Sequence, residues 1–306
     1  MRREMILGAL LAGGALSVAV AGSQQPAAPR VVTVEKLRDN LYTLGGGGGT
    51  TAVFIGSTGV TVVDTKNPGW GQPVLDEIKK LTNRPVTTII NTHAHGDHVS
   101  GNVEFAETVQ VVTHVNTAAN MERMAIPTSF PVPAGGATNI FKTNGGRGMP
   151  KRTYETTLTL GAGPDEIRLH YFGRGHTNGD TWVVFPALRV MHAGDIFAGK
   201  VVPLLDANNG GSGVAMPESL SKAAAGVANI DAIITGHSTV MTMADLREYA
   251  EFNREFLAAV QAGKKSGQTV EQIATSWKIP AKYVGYQAPQ PARVQSNVQV
   301  IFNEIP

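Results

Sequence analysis

The chain contains no cysteine. That excludes disulfides, thiolate metal ligands, a cysteine nucleophile and attachment to lipid through a cysteine. It also lacks a surplus of either charge. Lys and Arg total 26 against 24 Asp and Glu, a formal net charge of +2, and no basic run stands out. A nucleic-acid partner calls for a concentrated positive face, so none is expected. Nor is there a long apolar run. The one apolar and small-residue stretch, residues 6–20, is too short and too glycine-rich for a membrane span. It follows Arg2 and Arg3 and ends at Ala19-Val20-Ala21, the pattern of a secretory signal cleaved before Gly22. Residues 1–21 are therefore read as a signal peptide and 22–30 as a linker. The protein is expected to be exported, periplasmic or secreted, with no stable membrane insertion once the signal is removed.

What is present is concentrated donor chemistry. Thr92-His93-Ala94-His95-Gly96-Asp97-His98 follows the apolar run Val86-Thr87-Thr88-Ile89-Ile90. Alternate residues of an extended segment point the same way, so His93 and His95 can meet one ion side by side. Asp97 and His98 follow where the chain turns and can face a second. Imidazole with carboxylate suits zinc, with iron or manganese as substitutes. Three further donors end strand-like runs: His176 after Ile167–Phe172, Asp195 after Leu188–Met191 and His237 after Asp231–Thr235.

In these motifs and their order the chain resembles the metallo-β-lactamase superfamily of metallohydrolases, over roughly Val31 to Gly263. The resemblance implies that His93, His95 and His176 hold one metal and that Asp97, His98 and His237 hold another. Asp195 would bridge them, and Asp64 would orient a ligand histidine from behind. It also implies an α/β (α+β) fold, a four-layer αββα sandwich over residues 31–263, with two zinc ions between the sheets at one edge. Residues 264–306 would form a helical extension packed on that domain. Asp195 is closest in pattern to the glyoxalase II and lactonase-like branches. The histidine-rich lactamases lack an aspartate bridge, and others use a cysteine.

The periodicity predicts strands at 41–44, 52–55, 60–63, 86–90, 109–113, 154–160, 167–172, 181–185, 188–191 and 231–235. Helices are predicted at 73–81, through Phe105, at 218–227 and at 269–277. A longer one is capped by Thr242 with Asp245. The last apolar stretch, with Val294, Val298 and Ile301, also has helical spacing. Gly45–Gly49, five glycines in a row, reads as a mobile flap, a cleft floor or a flexible hairpin tip. Residues 127–150 are rich in proline and glycine, with Phe130, Phe141 and Met149 interspersed, and read as a substrate lid. Lys200 and residues 206–213 follow Asp195 and can line the same cleft, although a solvated lysine is the simpler reading. His192 supports Asp195 or packs in its strand, His114 and His170 are structural or surface residues, and Thr177 and Asp180 shape their loop.

The activity expected is hydrolysis of a small ester, thioester or lactone by a hydroxide shared between two metal ions, with Asp97 orienting it or passing a proton. The alternatives are a β-lactamase, or an exported zinc-binding accessory protein with little turnover. The substrate is a small molecule. Oligomeric state is not legible.

Overall fold

The computed structural model describes residues 30–128, 130–134, 136 and 138–306. The signal-peptide reading and all but the end of the linker therefore lie outside the described residues. Alternating apolar residues build the first sheet. Its strands are β1 (Thr33–Arg38), β2 (Leu41–Gly45), β3 (Thr51–Ile55) and β4 (Val60–Val63), then helix α1 (Gly71–Leu81) and strand β5 (Val86–Ile90). Short helix α2 (Gly96–Val99), strand β6 (Gln110–His114), helix α3 (Val115–Arg123), the single turn α4 (Ile140–Thr143) and strand β7 (Arg152–Tyr154) complete that half. These seven strands lie in chain order, antiparallel as far as β4 and parallel from β4 to β7.

The second sheet is formed by β8 (Thr157–Leu160), β9 (Ile167–His170), β10 (Trp182–Phe185), β11 (Val190–His192) and, after helix α5 (Met216–Gly226), β12 (Ala232–Ile234). Its order is β12-β11-β10-β9-β8, with only β11 and β12 parallel. Helices α6 (Met243–Lys265), α7 (Val270–Ser276) and α8 (Pro291–Glu304) finish the chain. Thr242 and Asp245 form the reciprocal cap of α6. No described helix is long and apolar enough to cross a membrane.

Strand alternation sorts the core into layers. Phe54, Val63, Ile90, Val183, Phe185 and Ile234 meet between the sheets. Their neighbours Val53, Val62 and Ile89 face Val74 and Ile78 of α1. Trp182, Val184, Met191 and Ile233 face the other way, onto α5, α6 and α8. The result is the αββα order. Val294, Val298 and Ile301 bury α8 in that last layer.

Two expectations need correcting here. The single strand predicted over 154–160 is two. Tyr154 pairs with His114 in the first sheet, and Thr157 pairs with His170 in the second. The chain changes sheet at Glu155–Thr156 without a glycine or proline to mark it. The lid reading of residues 127–150 also fails for two of its three apolar residues. Phe141 is 1% exposed and packs with Ala94, Val99 and Met121, and Met149 lies against the same cluster. Burying those side chains under the first sheet's loops is more favourable than holding them out in water, and Asn139 caps the short helix that seats Phe141.

Candidate metal centre

Each donor stands where a strand stops. His93, His95, Asp97 and His98 follow β5, His176 lies between β9 and β10, Asp195 follows β11 and His237 follows β12. Seven side chains form two groups whose ligand atoms lie within 4.8 Å of one another: His93, His95, His176 and Asp195, and Asp97, His98 and His237. Asp195 touches both. Its Oδ2 lies 4.0 Å from His93 Nε2, 3.8 Å from His176 Nε2 and 3.1 Å from His237 Nε2. Its Oδ1 lies 3.2 Å from His98 Nε2. Asp97 Oδ2 is 3.3 Å from His237 Nε2.

The outer nitrogens decide what the inner ones can be. His176 Nδ1 donates to the Leu204 carbonyl at 2.7 Å, so its Nε2 carries a lone pair. His95 Nε2 donates to Asp206 Oδ2 at 2.7 Å, leaving Nδ1 to face His176 Nε2 at 3.0 Å. Thr92 Oγ1 donates to Asp64 Oδ2 at 2.7 Å and accepts from His93 Nδ1 at 3.0 Å. His93 Nε2 is then bare, buried and without a partner. His98 Nδ1 donates to Asp64 Oδ2 at 2.7 Å, and its Nε2 faces His237 Nε2 at 3.3 Å. Converging lone pairs beside carboxylates repel one another unless a cation lies among them. The donor set fits divalent metal, with nitrogen and oxygen ligands and outward hydrogen bonds that fix each ring.

Electrostatics divide the two groups. Burial, reinforced by the neighbouring imidazoles, holds His93 well below the ordinary histidine value. Burial and His95 hold His176 at about 4. Burial also acts on His98, but Asp195, Asp97 and Asp64 outweigh it and lift that ring well above the usual value. Asp195 is the main cause lifting His237 to about 9. Burial opposes ionisation of Asp97, yet His98 and His237 bring it down to about 2.

Three supports have roles at the site that the sequence does not reveal. Asp206 holds His95 and also accepts from the Thr128 amide at 2.8 Å and from Asn209 Nδ2 at 2.6 Å. The loop 206–213 is expected beside the cleft because it follows Asp195, but its turn-like Asp206-Ala-Asn-Asn-Gly does not mark Asp206 as the partner of His95. Lys66 is fully buried and donates to the carbonyls of Leu44 and Gly49, both at 2.8 Å. Burial draws its ammonium down to about 8, against the pull of Asp64 and Asp97. Asp64 and Lys66 both adopt left-handed backbone, with φ of 61° and 72°. Such strain in non-glycine residues is concentrated at functional sites. The third support is the tail segment 287–293, which lines the cleft described below.

The glycine run is a wall of the site. Gly46–Gly48 have positive φ, and a Cβ at Gly49 would stand 2.1 Å from Cε1 of His98. Gly236 is needed too, because a Cβ there would stand 1.9 Å from Asp195 Oδ1. His192 Nε2 donates to the Thr50 carbonyl and its Nδ1 accepts from the Gly194 amide, which steadies the turn carrying Asp195. Asp180 accepts from Thr177 at its amide and hydroxyl and shapes the His176 loop. His114 caps α3, and His170 stacks on Phe172. Lys200 turns away to Asp245 and Glu248 at 3.0 Å each.

A cleft of about 600 Å³ opens onto His95, Asp97, His176, Asp195 and His237. Phe130, half-exposed at 50%, lines it, whereas Phe141 and Met149 do not.

Two sheets face to face, with a histidine–aspartate cluster at the strand ends between them, define the structural class. The family described as the metallo-beta-lactamase superfamily matches residues 45–237. The chain belongs to that superfamily, whose members are hydrolases. It is 28% identical over 208 residues to the metallo-beta-lactamase type 2 of Elizabethkingia meningoseptica, covering 64% of this chain and 73% of that one. It is 30% identical over 179 residues to the 2,4-dinitroanisole O-demethylase subunit alpha of Nocardioides sp. (strain JS1661), covering 56% of this chain and about half, 49%, of that one. Among solved structures, a metallo-beta-lactamase from Pontibacter korlensis superposes with TM-score 0.59 at 17% identity, over 73% of this chain and 99% of that one. The sec-alkylsulfatase Pisa1 from Pseudomonas sp. superposes with TM-score 0.67 at 14% identity, over 90% of this chain and 50% of that one. At such identities the superpositions establish the shared fold.

Proposed function

We propose that the protein is a hydrolase that works with two divalent ions, zinc foremost, and cleaves a small ester, thioester or lactone. The observation that carries this reading is Asp195, whose two carboxylate oxygens reach histidines of both donor groups. His93, His95 and His176 would hold one ion, Asp97, His98 and His237 the other, and Asp195 both. When bound, such ions supply Lewis acidity and lower the pKa of water toward neutrality.

The chain's own residues do the rest. Asp97 is a carboxylate across the working pH range, and it lines the cleft. Its free oxygen can accept a proton from attacking water and return it to the departing alkoxide or thiolate. Asp64, Asp206 and the Leu204 carbonyl hold three rings in place, so little rearrangement accompanies the reaction. Phe130, Val201 and Val202 provide an apolar surface for an acyl chain. Export through residues 1–21 belongs to the same reading, and mass measurement of the periplasmic protein checks it by whether Gly22 is the first residue.

The test is kcat/KM across matched ester, thioester, lactone, β-lactam, aryl methyl ether and phosphodiester substrates with zinc supplied. An acyl ester, thioester or lactone should lead. A β-lactam value more than about 100-fold above the best ester, about 2.7 kcal/mol of transition-state preference, would overturn the choice. That outcome would favour the second reading, a β-lactamase, for which the likeness to the Elizabethkingia enzyme speaks. No turnover of any substrate, with zinc bound, would favour a zinc-binding accessory protein.

A further inference from the structure

Among the described residues Arg293 is the one arginine in the wall of the metal-facing cleft. It sits in the first turn of α8, half-buried. Several other arginines find partners, as Arg174 does with Glu304 at 3.3 Å and Arg189 with Asp231 at 2.6 Å. Arg293 differs from Arg152 and Arg247, likewise unpaired among the described residues, in lining the metal-facing cleft. Among the described residues the Arg293 side chain donates no hydrogen bond and joins no ion pair, although its guanidinium carries five donors. Burial draws it below the usual arginine value, and Tyr249 and Asp195 are what favour its charge. Asp195 is also the carboxylate shared by both donor groups, so metal binding would engage the negative charge that Arg293 feels.

The helix turn that carries Arg293 is held in position. Asn297, one turn along α8, donates to the Pro203 carbonyl at 2.7 Å and accepts from the Leu205 amide at 3.2 Å. Val294 and Val298 lie in the core. The preceding segment is tied down by Gln287, whose amide donates to the Lys200 carbonyl at 3.0 Å. Gln287 and Gln290 line the cleft beside Arg293 and bring further amide donors. A partly desolvated guanidinium without a counter-ion, carried on an anchored helix turn, can bind a planar anion in two-pronged fashion. None of these tail residues falls within residues 45–237, the part matched by the superfamily.

We propose that Arg293 is a substrate-binding residue that selects molecules with a carboxylate remote from the bond to be cleaved, the apolar body between lying against Phe130 and Val202. The substrate class is thus the half-ester or half-thioester of a dicarboxylic acid, or a lactone that carries a separate carboxylate. The bond class rests on the hydrolase reading above; the anion site does not.

Two measurements on the zinc-loaded protein separate these. The first compares kcat/KM for 4-nitrophenyl hydrogen glutarate with that for neutral 4-nitrophenyl valerate. The wild type should prefer the glutarate. Arg293→Gln should lower glutarate turnover about 10–100-fold, the range of a charge-assisted pair, and valerate less than about twofold. Arg293→Lys should keep part of the preference. The second measures calorimetric binding of linear dicarboxylates of graded length against monocarboxylates of matching length. At least one dicarboxylate should bind about tenfold tighter, and Arg293→Gln should abolish the difference. Equal loss on both esters, or no dicarboxylate advantage at any length, would overturn the proposal. Failure to hydrolyse either ester with the dicarboxylate advantage intact would instead count against the hydrolase reading.

Discussion

Asp206 Oδ2 lies 2.7 Å from His95 Nε2, joining residues 111 positions apart. The carboxylate turns the ring so that Nδ1 faces inward. Asp206→Asn should weaken zinc binding about 10–100-fold, measured by competition against a chelating dye, with far-ultraviolet circular dichroism unchanged. Unaltered zinc affinity would show that the pair does not govern the centre.

The pairing of donors predicts two divalent ions per chain by elemental analysis. His237→Ala should keep the ion of the His93, His95 and His176 group and lower turnover by orders of magnitude. Asp195→Ala should weaken both. A stoichiometry of one that excess zinc does not raise, in the unaltered protein, would remove the shared role of Asp195.

Proton linkage gives a third expectation. Metal-free His237 is lifted to about 9 and His98 is lifted as well. A histidine raised above its unfolded value binds more protons when folded. Its contribution to the stability of the metal-free protein is complete below about pH 6.5 and is lost as pH rises through about 9. Metal must displace those protons, so zinc affinity at this group should climb over the same interval. Thermal melts of the metal-free protein and proton release on zinc titration check both signs. Melting that is flat between these pH values would contradict the assignment.

Lys66 and Gly49 form a fourth test. Lys66→Met leaves the carbonyls of Leu44 and Gly49 without their buried donor. It should cost about 1–3 kcal/mol for each carbonyl that finds no new partner, read by denaturant unfolding. Gly49→Ala should displace the His98 ring and lower occupancy of the second ion. Full occupancy in that variant would mean the wall is softer than its contacts suggest.

Phe130 and Phe141 should separate cleanly. Phe130→Ala should change KM and leave thermal stability nearly unaltered, because the ring is half-exposed in the cleft wall. Phe141→Ala should cost about 3–5 kcal/mol, because its ring is enclosed. A change in KM from Phe141→Ala at unaltered stability would restore the lid reading for that residue.

These residues also show what a sequence displays. His93 to His98 stand out because they are contiguous and follow an apolar strand, and His176, Asp195 and His237 each end another strand. The αββα layers follow from alternation in the strands and helical spacing after them. Asp206 and Lys66 are different. Each acts through a partner far along the chain, and nothing local tells a turn aspartate from one gripping a histidine, or a surface lysine from one sealed beneath glycines. Phe141 misleads because proline and glycine around it suggest an irregular lid, whereas burial depends on what lies beneath. Tyr154 to Leu160 keeps an uninterrupted strand pattern, so its change of sheet is visible only in the pairing.

Both donor groups draw on both sheets: His93 and His95 meet His176 and Asp195, and Asp97 and His98 meet His237. Neither half of the chain holds a complete group, so tight metal capture belongs to the assembled molecule. A ligand held only by the folded state adds RT ln(1 + [L]/Kd) to its stability. With metal bound, the centre would be a clasp across the sandwich, and the supply of metal around the protein would set how far the assembled fold is favoured over the unfolded chain.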